Sequence, residues 1–224
     1  MSDTNQNMEV RNGESKECEV VMGSPAYDGR VALYVIKADQ TSWINYMKPL
    51  ILAAELKDQD PETGEEVIVF ESTACLQYLA DRWDKDGYWT GRTARERGAV
   101  MSWTEYQTAG IGATAKYWLY FLKGYPTRAE SVQLPRTIKK LHDNVVKQWE
   151  ILEKRLSQPG QDYIALSDRP TLADLSYFPY GMPWMFKFLD VEMSNWPNIV
   201  QWATRLAARP AVREILEMAP KIGH

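Results

Sequence analysis

The periodicity of apolar residues changes once along this 224-residue chain, and the change divides the chain into two kinds of structure. Before the polar, Gly-containing stretch at 84–93, short β-rich runs alternate with helical patterns, whereas after it only helical patterns occur. Alternating strands and helices predict an α/β domain, and uninterrupted helical periodicity predicts an all-α domain. We therefore expect two domains that are separated by residues 84–93.

The first domain is predicted to span residues 30–85. Residues 31–36 form a near-continuous apolar run, which is typical of a strand that is covered on both faces. Apolar residues then recur at helical spacing over 44–54, and a second predicted strand at 67–70 precedes a second helix that begins near Thr73. A strand followed by a helix is half of a βαβ unit, so this domain is predicted to be α/β.

The second domain is predicted to be all-α over residues 93–224, and residues 1–29 are predicted to be a flexible tail. The tail is polar apart from a short apolar patch at 20–22. Apolar periodicity and breaks at Gly and Pro predict helices at about 93–123, 135–157, 171–188, 197–208 and 211–218.

Charge and composition argue against several classes of function. With 26 basic and 30 acidic residues and no basic stripe, the chain is not expected to bind nucleic acid. The apolar runs are too short to cross a bilayer and the N-terminal residues lack a secretory or transit pattern, so we expect a cytoplasmic protein without membrane contact. The sequence has no Gly-rich phosphate loop and only two histidines, which disfavours kinase, hydrolase and metal chemistry.

Glu71 and Ser72 stand between the predicted strand at 67–70 and the helix that begins near Thr73. The first backbone N–H groups of a helix lack partners and, together with the helix dipole, favour an anion. Ser72 is placed to cap this helix, and Glu71 is placed to pair with the ammonium of a ligand. The two side chains suit an amino-acid head group, and a plain helix cap explains the same residues.

Thr171 and Asp174 have the spacing of a capping box, in which each side chain accepts a hydrogen bond from the backbone of the other residue. This pair is predicted to start the helix at 171–188 and to have a structural rather than a catalytic role. Loss of such a cap costs about 1 kcal/mol, and more where the pair is buried.

Two motifs and their order carry a resemblance to a known family. The first reads F-E-S-T-x-x-L-x-Y-L at 70–79, and the second, after the polar boundary, reads P-T-x-A-D-L at 170–175. From about residue 31 to residue 220 the chain resembles the cytosolic glutathione S-transferase superfamily. The stretches at 41–52, 114–121 and 152–156 resemble the branch that is found in fungal secondary-metabolite clusters, such as the gliotoxin- and pseurotin-pathway transferases.

The resemblance implies a thioredoxin-like N-terminal domain followed by an all-helical glutathione S-transferase C-terminal domain. It implies an enzyme that takes glutathione as co-substrate, activates its thiol and directs it at a hydrophobic electrophile of secondary-metabolite biosynthesis. Family members usually form homodimers. Apolar residues that cover more than one face of the long helices favour the same assembly here, namely Val100, Met101, Trp103 and Tyr106.

The resemblance also assigns site residues. The γ-glutamyl end of glutathione would dock on Glu71 and Ser72, and Lys116 would steer its carboxylate or an anionic electrophile. A side chain at the start of the first helix would hold the glutathione thiolate, a role that maps onto Thr41, Ser42 and Asn45. A hydrogen-bond donor and a helix N-terminus both favour a thiolate over a thiol. From the residues alone, Ser42 is equally a helix cap, and Lys116 is a solvated lysine.

The second substrate is expected to lie against the helical domain, where aromatic and Met side chains are frequent. Adaptable apolar walls of this kind suit a hydrophobic ligand. The residues in question are Tyr106, Tyr117, Trp118, Tyr120, Phe121 and the aromatic and Met residues of 177–186. None is assigned singly, because most rings in such a chain belong to the core.

One segment is shorter than the family pattern. Between the first helix and the strand at 67–70 the family places a strand, a helix and a cis proline, but only residues 57–66 intervene here. A parallel crossover alone takes about a dozen residues, so the thioredoxin-like domain is expected to be truncated. A non-catalytic binding module is therefore an alternative function. A glutathione-dependent trans-to-cis olefin isomerase, which acts by reversible addition, is a second alternative.

Overall fold

The computed structural model describes residues 6–9, 19–22, 32–34, 43–55, 69–123 and 134–218, which form two compact units. The first unit contains the described residues up to Trp83 and those from Pro210 onward, and the second contains Asp84–Arg209. The division at Asp84 falls in the polar stretch where the apolar periodicity changes.

The last helix, α9 (Pro210–Met218), belongs to the first unit, whereas the sequence placed residues 93–224 in a single helical domain. Its residues Ala211, Val212 and Ile215 are buried, and it packs against α1 (Trp43–Glu55). The sequence thus predicts this helix, and in the structure the helix belongs to the first unit. Periodicity shows that one face of a helix is buried but does not identify the surface that covers it.

Three short strands form an antiparallel sheet in the first unit. They are β1 (Gln6–Glu9), β2 (Glu19–Met22) and β3 (Ala32–Tyr34), in the spatial order β2-β1-β3. In this register Asn7 lies opposite Val21 on one side and opposite Tyr34 on the other. Antiparallel neighbours need no crossover helix between them.

This sheet differs in two respects from what the sequence predicts for the first unit. β1 and β2 lie within residues 1–29, which the sequence predicts to be a tail, because strands of four residues are too short for an alternating pattern to stand out. β3 lies inside the predicted strand at 31–36, but at the second predicted strand the described residues Val69 and Phe70 lie outside any strand. The described strands therefore contain no parallel βαβ pair of the kind expected in a thioredoxin-like domain.

Two helices of the first unit, α1 and α2 (Ser72–Trp83), pack against each other. As expected, α1 continues through Pro49, which removes one backbone hydrogen bond from the helix. The packed faces are apolar and include the buried residues Met47, Leu50, Ile51, Leu76 and Leu79. This contact fixes the start of α2, where the predicted site residues Glu71 and Ser72 lie.

The described part of the second unit is helical, as predicted. Its helices are α3 (Ala94–Gln107), α4 (Ala113–Lys123), α5 (Pro135–Leu156), α6 (Leu172–Tyr177), α7 (Pro183–Phe188) and α8 (Pro197–Ala207). A π turn, Thr108–Gly112, joins α3 to α4, and a 3₁₀ turn, Phe178–Gly181, follows α6. Large buried side chains, among them Trp149, Phe186 and Trp202, fill the core of this unit.

The predicted capping box at the start of α6 is confirmed, and it is buried. Oδ2 of Asp174 accepts hydrogen bonds from the backbone N–H and the hydroxyl of Thr171, at 2.8 Å and 3.0 Å. Oδ1 accepts from the backbone N–H of Ile164 at 2.9 Å and from Nε1 of Trp202 at 2.8 Å. The carboxylate therefore joins three segments of the second unit, which is more than a helix cap alone would do.

Candidate functional site

Glu71 has a left-handed backbone conformation, with φ of 71°, directly before α2. Its carbonyl accepts a hydrogen bond from the N–H of Cys75 at 2.9 Å, so Glu71 occupies the capping position of the helix. A residue with a Cβ pays about 1 to 3 kcal/mol for such a conformation, which persists where the surrounding structure holds it. Strain of this kind is concentrated at ligand-binding sites.

Ser72 is the first residue of α2 rather than the residue that precedes it. The sequence predicts Ser72 at the capping position, but in the structure the preceding residue, Glu71, occupies it. Ser72 is half-buried and Glu71 is exposed. The side chain of Glu71 is therefore accessible to a ligand at the helix start, where unpartnered backbone N–H groups favour an anion.

Lys48, on α1, is buried in the same unit and was not predicted as a site residue. Its side chain is only 3% exposed, on the apolar face of α1. Burial lowers the pKa of the Lys48 ammonium to about 8, and the nearby carboxylate of Glu71 opposes this decrease. The signal in the sequence is a single lysine between the apolar residues Met47 and Leu50, since a buried lysine nearly always has a partner.

Cys75, one turn into α2, is a free thiol that the same carboxylate influences. Burial and the charge of Glu71 both raise the pKa of the Cys75 thiol, and its Sγ donates to the carbonyl of Val69 at 3.6 Å. A raised pKa disfavours the reactive thiolate form. The surroundings of Cys75 therefore do not favour a role for its thiol as a nucleophile.

Of the three predicted thiolate-binding residues, Asn45 belongs to the described part of the chain. Thr41 and Ser42 lie outside the described residues, and α1 begins at Trp43. Asn45 is the third residue of α1, within the turn whose backbone N–H groups have no intrahelical acceptor. The positive end of the helix dipole favours an anion at this position.

Lys116 lies on α4 in the second unit and is exposed to solvent. It is next to Tyr117, which is 57% exposed, whereas Trp118 is buried and its ring packs on that of His142. The position of Lys116 is compatible with binding of an anion and equally with an ordinary surface lysine.

The aromatic residues expected to bind the second substrate fall into two groups. Tyr177, Phe178, Tyr180 and Phe186 are buried in the core of the second unit, as most rings of such a chain are, whereas Met182 and Trp184 of the same stretch are half-buried. The four rings are buried because α6, α7 and the turn between them form the centre of this unit. Tyr106, Tyr117 and Tyr120 keep an exposed surface and are available for contact with a ligand or a partner.

A cavity of about 260 Å³ adjoins the π turn; none of the residues predicted to bind glutathione lines it, but Tyr106 of the second-substrate candidates does. Polar side chains from three elements line it, including Tyr106, Thr114, Asn144 and Lys147. Gly110 is in contact with the amide of Gln148, and a side chain at this position would collide with that amide. The sequence indicates the π turn by one feature only: glycines at 110 and 112 interrupt the helix predicted at 93–123.

In the described ranges, no three or more His, Cys, Asp or Glu side chains are grouped in a way that could hold a metal ion. Within the same ranges, no helix combines the length and apolar character that spanning a bilayer requires.

Comparison with known proteins identifies the relatives of the chain. The model of the glutathione S-transferase C-terminal domain matches residues 118–210. Glutathione S-transferase aclG of Aspergillus oryzae is 61% identical over 226 residues, which cover 88% of this chain and 99% of that protein. The trimodular acetylaranotin synthesis protein ataIMG of Aspergillus terreus is 51% identical over 215 residues, which cover 84% of this chain and 21% of that longer protein.

The alignments with aclG and ataIMG are 226 and 215 positions long. This chain places only 88% and 84% of its 224 residues in them, which are fewer residues than there are positions. The two relatives therefore carry residues that have no counterpart in this chain.

A similar fold occurs among solved structures. Ure2p5 from Phanerochaete chrysosporium, cocrystallised with 1-(S-glutathionyl)-2,4-dinitrobenzene, has a TM-score of 0.66 at 21% identity, with 82% of this chain and 93% of that chain covered. At this level of identity the likeness shows a shared fold alone. The 61% identity to aclG extends over 99% of that transferase and shows the family as well as the fold. The chain belongs to the glutathione S-transferase family.

Proposed function

We propose that this protein is an enzyme that binds glutathione as co-substrate, activates its thiol and adds it to an electrophilic intermediate of fungal secondary-metabolite biosynthesis. The observation that carries the proposal is the left-handed Glu71 at the start of α2, in a chain that is 61% identical to a glutathione S-transferase. The name of ataIMG, an acetylaranotin synthesis protein, supports a small-molecule pathway. The proposal includes a cytoplasmic location and a shortened thioredoxin-like domain as the first unit.

The γ-glutamyl end of glutathione carries an ammonium and a carboxylate, and the start of α2 offers a partner for each. The exposed carboxylate of Glu71 accepts hydrogen bonds from the ammonium. The backbone N–H groups of the first turn and the hydroxyl of Ser72 donate to the carboxylate of the ligand. Lys116 is proposed as a second cation for a carboxylate of glutathione or for an anionic electrophile.

Thiol activation is proposed to occur at the start of α1, with Thr41, Ser42 and Asn45 as the possible donors to sulfur. The thiol proton leaves to solvent, and a sulfur lone pair forms a C–S bond with the electrophilic carbon. The electron pair displaced at that carbon passes to the leaving group or to the conjugated acceptor. Where the acceptor is a conjugated olefin, rotation and elimination of glutathione restore the double bond, which gives trans-to-cis isomerisation at the same site.

Two assays together test this function. We expect the protein to be retained on immobilised glutathione and to accelerate conjugation of glutathione with 1-chloro-2,4-dinitrobenzene. Absence of both retention and turnover would overturn the proposal. Retention without turnover of this or related electrophiles would support the binding module, an alternative that the residues missing relative to aclG favour.

Glu71→Gln is expected to weaken glutathione binding by about 2 kcal/mol, because an uncharged amide replaces the charged acceptor of the ligand ammonium. The fold should persist, since Glu71 is exposed. Calorimetric titration with glutathione measures the effect. Glu214→Gln, an exposed glutamate of α9 in the same unit, is the matched control and should bind as the parent does. Equal affinity in Glu71→Gln and the parent would remove Glu71 from the site.

We also propose that the protein is a homodimer at micromolar concentration. Of the residues that suggested this assembly, Val100 is buried within the chain and the Trp103 ring packs on those of Tyr106 and Tyr177. Met101 remains 58% exposed, and apolar surface of this kind favours a protein partner. Light scattering should give twice the chain mass of 25.8 kDa. A value equal to one chain would mean that no second copy covers these residues.

A further inference from the structure

The cavity of about 260 Å³ next to the π turn has no role in the proposed function. All of its lining residues belong to the second unit, and they come from α3, the π turn and α4 on one side and from α5 on the other. A π turn inserts one residue into a helix and is frequently found at functional sites. Its position makes this cavity a candidate for ligand binding.

A buried oxygen of Gln148 lines the cavity and has no hydrogen-bond donor among the described residues. The amide of Gln148 lies against Gly110, and the absence of a Cβ at Gly110 makes room for it. A buried acceptor without a donor is unfavourable unless a ligand or ordered solvent supplies one. The Gln148 oxygen therefore marks the point in the cavity at which a ligand has to provide an N–H or O–H group.

Two further oxygens of the cavity are acceptors. The hydroxyl of Thr114 donates its proton to the carbonyl of Gly110 at 2.7 Å, so its lone pairs remain for a ligand. Asn144 lies on α5 one turn before Gln148, on the same helix face, and its amide carries the third oxygen. Three acceptor oxygens match the three N–H groups of a primary ammonium.

An exposed ammonium and an aromatic ring also line the cavity. Lys147 is 64% exposed, and its ammonium contacts the carboxylate of Glu150 at 2.7 Å. An exposed ion pair of this kind is weak, and an ammonium has three donors, so Lys147 can also donate to the carboxylate of a ligand. Tyr106 and Ala109 provide a ring and a methyl group, against which an aromatic side chain of the ligand can pack.

We propose that this cavity binds a free aromatic α-amino acid, with its ammonium on the oxygens of Gln148, Thr114 and Asn144 and its carboxylate on Lys147. The volume is below the ~300 to 1,000 Å³ of pockets for drug-sized ligands, and it fits a molecule the size of an amino acid. The inference is independent of the proposed function, because none of these residues is assigned to glutathione. Either can fail without the other.

NMR titration of the whole protein with L-phenylalanine, hydrocinnamate and phenethylamine tests the site. Hydrocinnamate lacks only the ammonium, and phenethylamine lacks only the carboxylate. Hydrocinnamate should bind about tenfold more weakly than L-phenylalanine, because the Gln148 oxygen stays unpaired. Phenethylamine should bind roughly threefold more weakly, because the contact that it loses is an exposed one. Equal affinity for the three compounds, or no binding of L-phenylalanine at about 10 mM, would overturn the proposal.

Two variants assign the two ends of the ligand. Gln148→Met removes the buried acceptor with little change of shape, and it should bind L-phenylalanine about tenfold more weakly but hydrocinnamate as the parent does. Lys147→Met should weaken binding of L-phenylalanine and hydrocinnamate roughly threefold and leave binding of phenethylamine unchanged. Lys140→Met, at an exposed lysine of α5 that does not line the cavity, is the matched control and should behave as the parent. Equal losses for all three compounds in either variant would contradict the proposed orientation and overturn the proposal.

The location of the ligand is tested separately. The side-chain amide signal of Gln148, assigned by its absence in Gln148→Met, should shift when L-phenylalanine is added to the parent. If Gln148→Met does not fold, Lys147→Met keeps the comparison, because its side chain is exposed. Glu71→Gln, the variant expected to lose glutathione, should bind L-phenylalanine as the parent does. Loss of this binding in Glu71→Gln would place the amino acid at the glutathione site and would refute a separate site in the cavity.

Discussion

Asp174→Ala is expected to lower the free energy of unfolding of the second unit by about 3 to 5 kcal/mol, because it leaves buried donors without an acceptor. The lost carboxylate accepts hydrogen bonds from the N–H and the hydroxyl of Thr171, from the N–H of Ile164 and from the indole of Trp202. Urea unfolding followed by Trp fluorescence measures the change. The large effect distinguishes this buried junction from an ordinary cap, for which about 1 kcal/mol is typical.

Asp162→Ala is the matched control for this substitution. The Asp162 carboxylate lies 3.6 Å from Arg205, and both side chains are accessible to solvent. An exposed ion pair contributes about 0.2 to 1 kcal/mol, so this variant should unfold close to the parent. If Asp174→Ala were no more destabilising than Asp162→Ala, the hydrogen bonds of Asp174 would not support the fold.

The destabilisation by Asp174→Ala should depend on pH. Burial raises the pKa of Asp174 from 3.8 to about 6, and its four hydrogen-bond donors oppose the rise. Between these values the folded protein binds more protons at this group than the unfolded chain does, so stability from Asp174 is complete below pH 3.8 and is lost as pH rises through 6. The stability gap between parent and variant should therefore be larger at acid pH than at neutral pH. A gap that grows with pH would contradict this assignment.

The helices α5 and α8 of the second unit could be predicted because their apolar residues lie on one face and their starts are marked. Pro135 and Pro197 stand at the first positions of α5 and α8, where a missing N–H costs nothing. The junction at Thr171 and Asp174 was predictable from spacing alone. Its links to Ile164 and Trp202 were not, because they join residues that are distant in sequence.

The first unit was predicted less well, for physical reasons. Four-residue strands such as β1 carry too few side chains for a period to be recognised. The left-handed backbone of Glu71 is invisible in the sequence, since glutamate rarely adopts it and only its surroundings impose it. The motif around Ser72 therefore located the helix start but not the strained backbone conformation of Glu71.

Removal of the hydrogen-bond donor to the glutathione sulfur is expected to have a large effect on the pKa of the bound thiol. A free thiol has a pKa of about 8.5, and a donated hydrogen bond together with a helix N-terminus lowers it. A decrease of about 2 in the pKa corresponds to about 2.7 kcal/mol of thiolate stabilisation. Ser42→Ala should return the pKa of bound glutathione toward the free value, which reduces the thiolate fraction at pH 7 roughly twentyfold. The ultraviolet absorbance of the thiolate, titrated against pH, measures this change.

Ser42 directly precedes α1, so a helix cap has to be separated from a sulfur donor. Ser42→Asn keeps both a capping oxygen and an N–H donor, and it should retain most of the thiolate that Ser42→Ala loses. If Ser42 were only a cap, Ser42→Ala would lower the unfolding free energy but leave the thiolate titration unchanged. An unchanged titration would transfer the donor role to Asn45, in the first turn of α1, or to Thr41, and the corresponding alanine variants would then show the loss.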